Sequence, residues 1–461
     1  MAGRTSFSFE LGTARARRRP DDESPMRILV MGDFGRRAQR REDHDVARRK
    51  PAEIDVDNFD RVMARIAPRL LLGRDRDTAL EFATLDDFHP DALYSLALFQ
   101  GFREARSRAQ NPATFAGASA QDADTFARLV GGAPSAPAQR AQGGAESRLQ
   151  ALIREAVAPH IVPDAPPHQA LYVAAVDAAI GEQMRALLQE PQFKALEALW
   201  RGVYWLASNL ETDEQMKLCI LDASQAELLA DLEAARQAIQ SSGPWSLVVG
   251  SYSFGLAAED LELLGHLGAA AAQAGGPFVA AAKPDLFGCE SIAANPDPRE
   301  WTPPAADAAE RWMALRESEV APWIGLALPR MLLRLPYGKS TDPIGSLPFE
   351  ELAPRRHESY LWGSGALACA LLIGRAFAAS GWDMDPGDEL EVEDLPAHTY
   401  DDDGAKRLQP CAEAALVDRA AEAILGAGLM PLLSRKDRNA VRLMRFQSIA
   451  HPAQALSGPW S

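Results

Sequence analysis

LEALWRGVYWLASNLETDEQMKLCILDASQAELLAD, residues Leu196–Asp231, is the stretch that decides the fold. It reads as helix, turn, strand, helix. Leu196, Leu199, Trp200, Val203 and Leu206 recur at helical spacing and make one broad apolar face. The mostly polar run Asn209 to Asp213 ends that helix. Met216, Leu218 and Ile220 then alternate with Lys217 and Cys219, which is the period of a strand. Ser224 and Glu227 fit a capping box. The hydroxyl accepts a backbone N–H in the next helix's first turn, and the carboxylate reaches back. Leu228 and Leu229 open that helix's apolar face. These residues specify packing rather than chemistry, with Arg201 set among aromatics.

Working outward, 461 residues suffice for about three ordinary domains. An apolar fraction of 47% with 24% charged residues is ordinary for a soluble protein. No apolar run reaches the ~18–20 residues of a membrane span, and the N-terminus lacks the apolar core of a secretory signal. A cytoplasmic chain without membrane insertion is expected. The four cysteines form no CxxC pair, so neither a zinc knuckle nor a dithiol redox site is indicated, and buried reduced thiols are expected. A net charge of −16 argues against broad nucleic-acid binding. The charge is uneven: residues 1–50 hold 13 Lys/Arg against 8 Asp/Glu, a net of +5, which leaves −21 on the rest. Ends of opposite sign favour head-to-tail contacts between copies. The bland reading of Arg36–Lys50 is a solvated basic loop.

In chain order, Ser6–Leu11 alternates Phe7, Phe9 and Leu11 with polar residues. It is a strand without a neighbouring hairpin partner, suited either to another subunit's sheet edge or to its own domain. Arg27–Met31 reads as a buried strand ending in Gly32-Asp33-Phe34-Gly35. No glycine-rich loop, HRD loop or VAIK-type lysine accompanies this DFG, which excludes a kinase. Asp57 is placed to cap a helix carrying Phe59, Val62, Met63 and Ile66. Leu80, Phe82 and Thr84 alternate as a strand. Pro90 fits the first turn of a helix with Leu93, Leu96, Ala97 and Gln100 on one face. Ala109–Ser147, with 23 of 39 residues Ala, Gly, Pro or Ser, reads as a linker. Helices are expected around Leu149–Val157 and over His168–Leu188.

Beyond Asp231, Trp245–Gly250 reads as a buried strand, followed by a helix to about Gln273. Ser251-Tyr252-Ser253-Phe254-Gly255 between them has the context of a hydrolase elbow but not its G-x-S-x-G spacing. His357 and His398 lack any recognisable triad context, so a serine hydrolase is a remote alternative. Gly363-Ser364-Gly365 lacks the third glycine of a dinucleotide fingerprint, and His357-Glu358 lacks the second histidine of a zinc-protease motif. Asp383–Asp403 carries ten acids in 21 residues out of register for a calcium loop, and reads as a solvated acidic hairpin. No catalytic, metal or cofactor site is expected. Arg330 and Arg334, four residues apart, are expected to share a helix face and to serve an intersubunit salt bridge.

Several blocks carry a family resemblance. The opening stretch, Arg311–Gly338 with RWMALRES and LPRMLLRLPYG, His357–Gly363 (HESYLWG), Leu395–Tyr400 (LPAHTY) and Val417–Leu433 resemble the large (TssC-like) sheath subunit of bacterial type VI secretion systems. Met31–Gly35 (MGDFG), Glu53–Leu70 and Leu80–Leu93 resemble the small (TssB-like) subunit. The resemblance implies a natural fusion. A small-subunit-like domain (26–108) and a large-subunit-like domain (148–461) flank the linker 109–147, behind an N-terminal extension (1–25). It implies a mixed α/β fold with interleaved strands from both halves, flanked by helices. The implied partners are copies of itself or other sheath subunits, an inner-tube protein, a baseplate and a sheath-disassembling AAA+ ATPase. The family's large subunit continues past the matched stretch. A non-polymerising assembly factor or sheath-end adaptor is therefore the second reading, with Ser6–Leu11 as the strand still available to a neighbour.

Overall fold

The computed structural model describes residues 20–21, 23–37, 45–72, 78–111, 167–435 and 438–460. Ser6–Leu11, most of the linker and the helix expected around Leu149–Val157 lie outside them. The chain forms two compact units. One comprises Met1–Leu85, Lys194–Leu335 and Arg356–Ser461, the other Asp86–Phe193 and Pro336–Arg355.

The strands in chain order are β1 (Met26–Gly32), β2 (Ala52–Glu53), β3 (Arg69–Leu72), β4 (Thr78–Glu81), β5 (Met216–Asp222), β6 (Leu247–Phe254), β7 (Phe278–Ala282), β8 (Ile324–Leu328), β9 (Met331–Leu332), β10 (Trp362–Gly363), β11 (Glu391–Val392), β12 (His398–Asp402), β13 (Ala405–Gln409), β14 (Met430–Ser434) and β15 (Val441–Leu443). Nine of them form one sheet in the order β11-β15-β14-β8-β7-β6-β1-β5-β2. The six central strands, β14 to β5, run parallel, and the flanking pairings are antiparallel. Parallel strands covered on both faces need continuous apolar runs. Ile28, Leu29, Val30 and Met31 of β1 meet that need and are fully buried.

β1 lies between β5 and β6, so a strand from the first fifty residues is interior to a sheet whose other strands, β2 apart, come from residues 216–443. Seven residues pair with β5, from Met26 opposite Met216 to Gly32 opposite Asp222. Alternation sends Leu29, Met31, Cys219 and Leu221 into one core. Helices α6 (Gln225–Ala230), α7 (Leu232–Gln240) and α8 (Ala258–Ala274) contribute Leu228, Ile239 and Leu264 to it. The other face takes α5 (Pro191–Asn209) and α10 (Gly365–Ser380), the latter lying across β6, β7 and β8.

The opening stretch is as expected: α5 covers its apolar run, β5 its alternating run, and Ser224 with Glu227 completes the capping box. Gly202 is explained by close approach, since a Cβ there would lie 2.5 Å from Leu367 Cδ1 of α10. Gly32 is equally tight, 2.8 Å from Leu199 Cδ1.

Other expectations change. Gly365–Asp383 is long and apolar enough to cross a membrane, with mean hydropathy 1.4, contrary to the sequence reading. It is apolar because it is the sheet's covering helix, with 72% of it buried in the fold. At helix α1 (Phe59–Ile66) the N-cap position is Asn58 rather than Asp57, and its side chain turns to Asp55 instead of capping the helix. Asp55 and Asn58 bond each other's backbone N–H groups at 3.2 and 2.8 Å, which leaves Asp57 exposed. β3 pairs with β4, which ends at Glu81 before the expected Phe82 and Thr84.

In the second unit the helix after Pro90 breaks. Helix α2 (Pro90–Ser95) stops at an extended Leu96 (ψ 159°), a 3-10 turn spans Ala97–Phe99, and α3 (Gln100–Gln110) follows. Helix α4 (Pro167–Leu188) buries Val176, Ile180, Met184 and Leu187 along one stripe. It is joined to α3 by Arg106–Asp177 at 2.7 Å. Arg106 also donates to the Ser346 carbonyl at 2.6 Å, and Asp91 accepts the N–H groups of Gly345 and Ser346 at 2.9 Å.

Candidate functional site

Polar groups gather where β1 and β5 end. Asp222, the last residue of β5, accepts the Gly35 N–H at 2.8 Å and the Arg37 guanidinium at 2.5 Å. Arg49 donates to the Asp222 carbonyl at 2.7 Å and pairs with Glu227 at 2.5 Å. Glu227 also accepts the Ser224 backbone N–H as part of the capping box. Burial opposes its ionisation, but the Arg49 and Ser224 hydrogen bonds outweigh that and bring its pKa down to about 2. Burial, with Asp222 and Glu227 nearby, raises Asp33. It also pushes Tyr252 well above the phenol's ordinary value, and the Tyr252 hydroxyl donates to the Ala223 carbonyl at 2.6 Å. A family-like DFG thus becomes a joint. Phe34 stacks edge-on against Trp200 at 5.1 Å, and Trp200 donates its indole N–H to the Phe34 carbonyl. Beside this network is a cavity of about 490 Å³, lined by Arg37, Arg48, Arg49, Lys50 and Arg65 and by the acids Asp45 and Asp222.

A second polar centre uses the opening stretch itself. Glu197 is fully buried and is held by Arg201 at 2.7 Å and Arg334 at 2.8 Å. Burial would raise its pKa; the two guanidiniums, Arg334 foremost, lower it instead. A third includes Arg330, which pairs with Glu413 at 2.6 Å and Glu358 at 3.1 Å. Against burial, Arg330 and then His357 bring Glu413 down to about 2.

The structure therefore corrects the expectation for the two arginines. They do not share a helix face: the segment is extended around β9, and each guanidinium engages a carboxylate of its own chain. Pro329 and Pro336 suit that extended path. His357, Glu358 and Glu413 bring ligand atoms within 4.8 Å of one another, and both acids are already paired with the Arg330 guanidinium. Ser253 lies inside β6, which runs on to Phe254 before α8 starts at Ala258, so no strand-to-helix elbow forms at the serine. All four cysteines are free and buried. Burial pushes Cys219 and Cys411 up to about 11 and Cys369 to about 12, so these are protonated and inert at neutral pH. Phe7, Phe9 and Leu11 lie outside the described residues.

Sequence reasoning missed Glu197, Asp222 and Arg49. Glu197 had a signal, an acid three residues before a core tryptophan and four before an arginine, on a face otherwise apolar. Asp222 and Arg49, 173 residues apart, had none.

The model described as "EvpB/VC_A0108, tail sheath N-terminal domain" matches residues 170–450. That described as "Type VI secretion system, VipA, VC_A0107 or Hcp2" matches residues 4–97. The chain is 34% identical over 311 residues to the type VI secretion system sheath protein TssC1 of Pseudomonas aeruginosa, covering 61% of each. It thus spans less than two thirds of that relative's length.

Proposed function

The chain belongs to the type VI secretion tail-sheath family, and on that premise we propose that it is a fused sheath subunit. Copies pack side by side around an inner tube, and the change between two packings drives that tube and its effectors outward. The observation that carries this reading is the position of β1. The region matched by the small-subunit model supplies the strand between β5 and β6 of the region matched by the large-subunit model. A two-part protomer made from one polypeptide assembles with fixed stoichiometry. Its work is stored in interfaces, which require bistable packing and no reaction centre. The buried thiols and the acids held by Arg330 are in keeping with a structural role rather than an enzymatic one.

In this reading the partners are other copies or other sheath subunits, the inner-tube protein, the baseplate and a disassembling AAA+ ATPase, all within the cytoplasm. Phe7, Phe9 and Leu11 form the strand offered to a neighbour's edge. Arg330, still 39% exposed beside its two acids, is available to an intersubunit ion pair, and Arg334 is held back by Glu197. The test is negative-stain electron microscopy of the purified full chain. Hollow tubes of uniform width are expected, lost when Ser6–Leu11 is deleted. Small discrete particles at every concentration would overturn autonomous polymerisation in favour of a sheath-end adaptor.

A further inference from the structure

The two edges of the nine-stranded sheet differ in charge. At one edge, β2 and β5 contribute Ala52, Ile220 and Asp222 to the 490 Å³ cavity, whose rim carries five cations against two acids. Three of the cations are engaged within the chain: Arg37 by Asp222, Arg48 by Asp45 and Arg49 by Glu227. Lys50 and Arg65 are exposed and have no ion pair among the described residues. That edge is left with positive charge facing solvent.

The opposite edge is β11, and the β12–β13 hairpin that follows it in the chain is a separate two-stranded sheet whose base is held by the Tyr360–His398 hydrogen bond and the bridge from Met331 to Ala412. Glu393, Asp394, Asp401, Asp402 and Asp403 are all exposed there. Arg438 answers Glu391 and Glu393, Arg407 approaches Asp402 at 3.7 Å, and Lys406 stands opposite Asp401 across the hairpin, so the acidic excess lies at its tip, at Asp402 and Asp403. The hairpin pairs with no other strand among the described residues, and Leu408 on it is 53% exposed. A two-stranded hairpin without further cover is marginal by itself, and its stability would gain from a partner surface.

We propose that the basic cavity of one copy receives the acidic β12–β13 hairpin of a second copy. The cavity beside β2 and β5 and the hairpin after β11 are different surfaces of the chain, so the contact joins unlike ends. A heterologous contact of this kind closes into a ring or extends as a helix and does not stop at a dimer. The occupant is another copy because the complementary charge is carried by the same chain. The inference rests on the self-assembly reading above and adds to it a named pair of surfaces.

Sedimentation velocity of the full chain at low and high salt tests it. The parent associates at low salt and dissociates as salt screens the contact. Lys50→Glu with Arg65→Glu places like charge against the hairpin and weakens association about tenfold or more. Asp402→Lys with Asp403→Lys does the same from the other side. Each pair should melt close to the parent, since Lys50 and Arg65 have no ion pair to lose among the described residues and Asp402 gives up only an exposed 3.7 Å pair with Arg407 at the hairpin end. An equimolar mixture of the two variants, and a chain carrying all four substitutions, should regain association. Variants that associate like the parent, no recovery on mixing, or a parent monomeric at low salt would each overturn the contact. Tubes that persist in both variants would overturn this contact and leave the sheath reading standing. Discrete particles whose association the variants abolish and the mixture restores would do the reverse.

Discussion

The strand β1 is attached in two ways that differ in kind. Along its length it is apolar, with Ile28 to Met31 fully buried between β5 and β6. Beyond its carboxyl end the attachment is ionic, through Gly35 and Arg37 to Asp222 and through Arg49 to Glu227. From Ile28 to Met31 the seam has no charged group, and the Cys219 thiol opposite Leu29 is pushed up to about 11, so the seam supplies stability that does not vary across acid and neutral pH. The ionic end supplies geometry. It fixes where the loop after β1 meets the capping box, and it responds to protons.

Substitutions separate the two. Val30→Asp in the seam buries an unpaired carboxylate, a cost comparable to the ~5–15 kcal/mol that holds a whole domain together. Loss of soluble, folded protein by circular dichroism is expected. Trp200→Ala removes the ring that Phe34 and Phe59 pack against, and should cost about 3–5 kcal/mol in a denaturant melt. Arg49→Ala at the ionic end should cost less, about 1.5–3 kcal/mol, as the loss of charged hydrogen bonds. A larger loss than Trp200→Ala would reverse the order of the two attachments. Ser224→Ala removes one side of the capping box and should cost about 1 kcal/mol.

The pH response follows from Glu227, whose pKa falls from 4.5 to about 2 on folding. A depressed carboxyl contributes stability that is fully present above its unfolded value and lost as pH falls through its folded value. Stability should therefore decline between about pH 4.5 and pH 2, with Glu413 adding to the same window. The Arg49→Ala chain should show a shallower decline, because its Glu227 has less depression to lose. An unchanged slope in thermal melts across this range would place the acid sensitivity elsewhere.

The sequence showed the elements of the sheet well where one element explains its own residues. Leu196–Asp231 carries its helix, its strand and its capping box within 36 residues, and all three form as read. The acidic stretch Asp383–Asp403, read as a hairpin, supplies only the first strand and part of the turn of the hairpin that forms over His398–Gln409. Tertiary partners were not legible. Gly202 stands in mid-helix, and only Leu367, distant in sequence and 2.5 Å from where its Cβ would be, explains it. Arg330 and Arg334 looked helical by spacing, yet the prolines on either side and distant acids at 413, 358 and 197 draw them into extended chain. The place of β1 was the least legible feature. Its run of apolar residues says that it is buried on both faces and says nothing about which strands flank it.

Hydrogen–deuterium exchange of the full chain, read over residues 26–32, tests the central claim most directly. A strand in the interior of the sheet opens only with the whole unit, so its amides should exchange in the slowest class, together with those of 216–222 and 247–254. Exchange of 26–32 orders of magnitude faster than its two neighbours would contradict a fused protomer that completes its sheet within one chain.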